Sequence, residues 1–127
     1  MPRSIHLTAA EGRLAELVWR ETPLASPALV ALAERELGWK KSTTYTVLKK
    51  LCGKGVLRNE SARVSAALTR EELAARQSRG YVEDTFGGSL PKFLASFIGG
   101  GTLTPEQAAE LRRLIEDHTA REEAGHG

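Results

Sequence analysis

At Gly55 the hydrophobic spacing of this chain changes period, and that change limits the folds open to it. Upstream, apolar residues recur at the three- and four-residue intervals of helices; downstream, two short runs read as strands. Thr8-Ala9-Ala10-Glu11 has the reciprocal spacing of a capping box. Leu7, Ala10, Leu14, Leu17 and Val18 recur around it at helical intervals, which predicts a first helix from about Ala9 to Arg20. After the break Glu21-Thr22-Pro23, Ser26 is read as a cap and Pro27 as a first-turn residue. The second helix they open carries Leu29, Val30, Ala33 and Leu37 on one face and ends at Gly38. A third helix fits Ser42 to Lys54, with Thr44, Val47, Leu48 and Leu51 as its inward stripe and Gly53 and Gly55 at its close.

Val56-Leu57-Arg58 and Arg63 to Leu68 read as strands flanking the polar turn Asn59-Glu60-Ser61-Ala62, a small hairpin. Thr69-Arg70-Glu71-Glu72 is a second capping box, opening a helix to about Phe86 that Gly87-Gly88 stops. A short helix follows from about Leu90 to Ile98, then the break Gly99-Gly100-Gly101. A last helix begins at the third box, Thr104-Pro105-Glu106-Gln107, and runs to about Glu122. The predicted fold is therefore mainly α with a small β-hairpin. Three helices and a hairpin match a winged helix-turn-helix, whose third helix enters the major groove, although other small α+β modules share that order. The domains are expected at residues 1–68, the winged helix-turn-helix, and 69–127, a helical dimerisation arm.

The 127 residues, 41% of them hydrophobic, suffice for a modest core but not for a large active-site cleft. No apolar stretch is long enough for a membrane span, and the start Met-Pro-Arg-Ser-Ile-His lacks the apolar run of a leader, so a cytoplasmic location and no membrane partner are expected. The single cysteine, Cys52, excludes an internal disulfide and paired thiolate metal ligands, and no metal or cofactor is expected. Cys52 falls on the inner side of the third helix and reads as a small apolar residue. Residues 1–63 carry eleven Lys/Arg against six Glu and no Asp, a balance of +5, whereas residues 64–127 carry seven against ten, a balance of −3. A basic half joined to an acidic half suggests that one surface meets a polyanion and the other does not.

The third helix carries the chemistry for such a meeting. Opposite its inward stripe lie Ser42, Thr46, Lys49, Lys50 and Gly53, with Thr43 at the edge, and this face has no carboxylate. Its hydroxyl and ammonium groups suit base edges and phosphates. Lys40 and Lys41 precede the helix, where basic side chains and free amides can engage a phosphate together, while Lys54, Arg58 and Arg63 extend the basic surface into the wing. The alternative is that these lysines merely solubilise an exposed helix. Trp19 and Trp39 each sit beside an apolar stripe and read as packing residues; Tyr45, on the flank, is open between packing on the first helix and contacting DNA backbone.

The second half is apolar beyond the needs of three helices: Tyr81, Phe86, Leu90, Phe93, Leu94, Phe97, Ile98, Leu103, Leu111, Leu114 and Ile115 call for a partner, and a second copy of the chain supplies one. Packing against the winged domain is the alternative. An enzyme is disfavoured because His6, His118 and His126 are scattered, Asp84 and Asp117 are the only aspartates, and no nucleophile has an evident base. A winged-helix interaction module without DNA binding, and a ligand-responsive regulator with an effector pocket at the dimer interface, stay open as alternatives.

With these segments placed, the sequence resembles the penicillinase-repressor (BlaI/MecI-type) family over almost its whole length. The resemblance is carried by Leu7-Thr8-Ala9-Ala10-Glu11, Val18-Trp19, Gly38-Trp39 with Thr43 and Thr46, Leu51 with Gly53-Lys54-Gly55-Val56-Leu57, and the segment from Phe97 to Leu114. It implies an N-terminal winged helix, a C-terminal helical dimerisation domain, and a homodimer that represses by binding inverted-repeat operators in double-stranded DNA. By that resemblance Lys41, Ser42, Thr43 and Thr46 lie at the groove, with Lys50 and Arg63 on phosphate. Antibiotic-responsive members are cut at an Asn-Phe bond by a sensor-coupled protease, so a regulatory protease is a candidate partner, but the corresponding pair here is Ser96-Phe97. The tail Arg121-Glu122-Glu123-Ala124-Gly125-His126-Gly127 lacks the cysteines of the copper-responsive branch, which excludes copper sensing by that route, and the wing lacks the aromatic residues common in the family.

Overall fold

The structure, a computed structural model, describes residues 5–126, with side chains for residues 5–119. The leader reading at Met1 to Ser4 and the side chains of the tail, His126 included, lie outside the described residues. Helix α1 spans Ala9–Glu21, β1 Leu24–Ala25, α2 Ser26–Leu37, α3 Lys41–Gly53, β2 Leu57–Glu60 and β3 Arg63–Ala66. Helices α4, α5 and α6 follow at Arg70–Phe86, Leu90–Gly99 and Pro105–His126. The fold is a winged helix followed by a helical arm, mainly α with a small antiparallel sheet.

Local chemistry accounts for most of the boundaries. In both the Thr8/Glu11 and Thr69/Glu72 boxes the hydroxyl accepts from the third-residue amide while the glutamate accepts from the cap amide, so two otherwise orphan donors are satisfied at each helix start. Thr104 and Gln107 do the same for α6. Gly38 closes α2 at φ 71°, a left-handed conformation that a side chain resists. Ser26 does not cap α2 as expected. Ala25 occupies the cap position with no side-chain bond, and Ser26 is itself the first helical residue.

The expected hairpin is a three-stranded sheet in the order β1-β3-β2. β1 pairs antiparallel with β3, Leu24 against Val64 and Ala25 against Arg63, and β2 pairs with β3 from Leu57↔Ala66 to Glu60↔Arg63. The turn is tighter than the four-residue segment suggested. Ser61 and Ala62 both take positive φ, 52° and 61°, as a two-residue hairpin turn matched to the strand twist requires, so pairing extends outward to Glu60.

The core joins every element of this module. Leu14 and Val18 of α1, Leu29 of α2, Leu48 and Leu51 of α3, Val56 and Val64 are each at most 2% exposed. Each such burial contributes about 1.5–3 kcal/mol. Leu68 and Leu73 join the same cluster and seat the start of α4 on it. The chain separates into two compact units, residues up to Gly88 and residues from Ser89 onward. In the second unit Ser89 caps α5 by accepting from the Lys92 amide at 3.2 Å, and no residue of α5 is buried.

Candidate nucleic-acid interface

Helix α3 is fixed by its inner stripe. Thr44, Val47, Leu48 and Leu51 are buried, which forces Ser42, Thr43, Thr46, Lys49, Lys50 and Gly53 outward, and all six are exposed. The helix contains no acidic residue. Its cap, Lys40, makes no side-chain capping bond, so among the described residues no cap side chain accepts from the first-turn amides. The Thr46 hydroxyl donates to the Ser42 carbonyl at 2.9 Å, so without rotating it offers a groove an acceptor.

Lys40, Lys41, Lys49 and Lys50 are exposed, as are Arg58 and Arg63 on the wing. Among the described residues none of these six forms an ion pair with a carboxylate. Lys41 lies over the Tyr45 ring, 6.0 Å from its centre. The wing adds one acid, Glu60, opposite Arg63 in the β2–β3 register. Lys54, counted with these cations from sequence, has another engagement: its ammonium donates to Glu11 Oε1 and to the His6 carbonyl, each at 2.6 Å. Burial alone would raise the Glu11 carboxyl, but Lys54 and the Thr8 amide and hydroxyl outweigh it and hold the carboxyl below its ordinary value.

Tyr45 is half-buried against the core, and its hydroxyl donates to Ser26 Oγ at 3.4 Å, so it packs toward α2. Trp39 packs on the same core, as does Trp19, whose indole N–H donates to the Leu68 carbonyl at 2.8 Å. Burial pushes the half-buried Cys52 thiol up, leaving it protonated at neutral pH. Sequence reasoning missed the long-range pairs, among them Glu11 with Lys54, Glu16 with Arg70, and Ser26 with Tyr45. Their partners stand 43, 54 and 19 residues apart, beyond any local pattern.

The apolar residues of the second half divide between the two units. Tyr81 and Phe86 lie on α4, with rings 6.0 Å apart and edge-on. In the second unit Phe93, Leu94, Phe97, Leu103, Leu111 and Leu114 line one groove of about 520 Å³, with Gln107 and Glu110 at its polar side. Leu90, Ile98 and Ile115 lie outside that groove and are themselves exposed, as are Phe97 and Leu114 on its lining. The Ser96-Phe97 peptide falls within α5. Among the described residues no His, Cys, Asp or Glu cluster could hold a metal ion, and no helix is long and apolar enough to cross a membrane.

Two comparisons bear on this arrangement. The family model described as penicillinase repressor matches residues 7–117. The chain is also 20% identical over 125 residues to the penicillinase repressor of Bacillus licheniformis, an alignment covering 95% of this chain and 98% of that protein.

Proposed function

The chain belongs to the penicillinase repressor family, and on that premise we propose that it represses transcription as a homodimer that seats two copies of α3 in an inverted-repeat duplex operator. It is a transcriptional regulator of that family and not an enzyme. The observation that carries the reading is the outer face of α3, exposed from Ser42 to Gly53, free of carboxylates and flanked by cations. Thr43, Thr46 and Ser42 offer hydroxyls to base edges, while Lys40, Lys41, Lys49 and Lys50 neutralise phosphate. Phosphate beside the α3 start also meets first-turn amides and the positive end of the helix dipole. Arg58 and Arg63 place the wing on flanking backbone. These contacts position the module; the hydroxyl-bearing turn of α3 selects sequence.

The second unit supplies the dimer. Its apolar surface continues past the groove through Leu90, Ile98 and Ile115, further than a small effector would cover, and a second copy presenting the same face covers both. Two linked reading helices then engage two half-sites with the avidity of one connected ligand. The resemblance sets Ser96 where the cleaved members carry Asn, so no protease takes part in this mechanism.

Selection of duplexes from a random-sequence library by the purified chain tests the reading. An enriched inverted repeat with a constant centre-to-centre distance supports it. Enrichment of a single unpaired site contradicts the dimer, and no enrichment contradicts sequence-specific binding altogether.

A further inference from the structure

Ser26 does not cap α2, yet it is buried, only 4% exposed. Its two polar groups serve other elements. The amide, a first-turn donor with no partner inside its own helix, donates to the Ala62 carbonyl of the wing turn at 2.7 Å. The hydroxyl oxygen accepts from Tyr45 of α3, a longer and weaker bond of 3.4 Å. One residue at the start of α2 thus holds both the wing and α3. The tie to the wing falls beside Arg63, which pairs in the sheet with Ala25, the residue before Ser26. At the other end of β3 the Ala66 amide donates to Thr22 Oγ1 at 3.2 Å, so the strand is fastened at both ends to the connection between α1 and α2. Ser61 and Ala62 keep φ of 52° and 61°, and residues with side chains stay in such conformations only where neighbouring structure holds them.

Resting on the reading of the chain as an operator-binding repressor, we propose that Ser26 is a positioning residue for DNA recognition: through its amide it holds the wing turn so that Arg63 reaches backbone phosphate while α3 occupies the groove. A loose wing has to be ordered on binding, which weakens the contact it makes. A wing tied to α2 before DNA arrives presents the Arg63 guanidinium without that loss. Each phosphate neutralised releases counterions, so a lost Arg63 contact registers in the salt dependence of binding as well as in its strength. Ser26 carries no charge. A change of salt slope on substituting it therefore arises through the cations it positions.

The test uses the full chain and a duplex that the wild type selects from a random-sequence library, with affinity measured from low to physiological salt. Ser26→Pro deletes the amide donor. Proline is accommodated at a first helical position, and Ala25 already has the extended backbone, φ −68° and ψ 145°, that a following proline requires. Ser26→Ala, which loses the hydroxyl and keeps the amide, is the reference for it. Relative to that reference Ser26→Pro is expected to bind about fivefold more weakly, with a salt slope shallower by about one, as in Arg63→Ala. Ser26→Pro combined with Arg63→Ala should lose little beyond Arg63→Ala alone, whereas combined with Lys50→Ala the two losses should multiply. A substitution that merely loosens the fold lowers affinity at every salt concentration and leaves the slope in place. Thr22→Val, at an exposed position, frees the other end of β3 and is expected to shift the slope the same way by a smaller amount. A wild-type slope in Ser26→Pro, or in Thr22→Val where the proline variant does not fold, overturns the role of Ser26 and leaves the repressor reading standing. Full additivity of Ser26→Pro with Arg63→Ala, or wild-type binding by Arg63→Ala, does the same. A wild-type chain that selects no duplex overturns both.

Discussion

The ammonium of Lys54, at the C-terminal end of α3, lies 2.6 Å from Oε1 of Glu11 in the first turn of α1. The same oxygen accepts from the Thr8 amide at 2.8 Å, so the carboxylate that closes the α1 cap also anchors the end of α3. Glu11 is only 3% exposed, and removing Lys54 would leave its charge without an ionic partner. Lys54→Met is expected to cost about 1–3 kcal/mol, less than a fully buried pair because Lys54 keeps contact with solvent. Thermal denaturation checks this; an unchanged Tm would show that the pair contributes nothing.

The same carboxylate shapes the acid side of the stability profile. Glu11 is held below its ordinary value by Lys54 and Thr8 against the opposing effect of burial, and Glu16 by its hydrogen bonds to Arg70. A carboxyl whose folded value is depressed contributes stability that is present above the unfolded value, about 4.3, and lost as pH falls through the folded one. Denaturant unfolding should therefore show stability falling below about pH 4, with a shallower fall in Glu11→Gln. An equal slope in that variant would assign the acid limb to other groups.

At the wing tip Ser61 and Ala62 hold φ 52° and 61° with side chains that disfavour them. The Ser61→Asn, Ala62→Gly variant, which places the preferred pair in this turn, is expected to gain about 1 kcal/mol. The Ala62 carbonyl, which accepts from the Ser26 amide at 2.7 Å, is retained. A shift of the urea midpoint upward at constant slope is the expected readout.

Phe93 and Leu114 line the groove of the second unit, and a carboxylate at each would have to be desolvated for a second copy to cover it. Phe93→Asp with Leu114→Asp is expected to sediment as a monomer at micromolar concentration while keeping the helical signal of the winged module. A dimer that survives the double substitution places the interface elsewhere.

What was legible in the sequence is what local chemistry determines. The capping boxes at Thr8, Thr69 and Thr104 announce their helices because donor and acceptor lie three residues apart, and the inner stripe of α3 follows from its period. β1 was hidden because two residues carry no period and its partner Val64 lies on the far side of α2 and α3. Ser26 has the chemistry of a cap, yet the pairing of Leu24 and Ala25 with β3 places the helix start one residue earlier than that reading requires. Lys54 looks like another cation of the basic surface until folding brings Glu11 beside it. The Arg70 fork on Glu16 is non-local in the same way. At the candidate interface the composition of the α3 face was readable because helical geometry alone decides it. Which cations remain available depends on where carboxylates arrive from elsewhere in the chain.

Whether α3 meets the duplex can be read from salt dependence. Affinity for a selected duplex is measured from low to physiological salt for the wild type and for Thr46→Ala with Lys50→Ala. Log affinity should fall linearly with log salt, and the double variant should bind about tenfold or more weakly with a slope shallower by about one, its dimer intact. Equal affinity and equal slope in the two proteins, or binding indifferent to salt, would contradict the assignment of α3 as the reading helix.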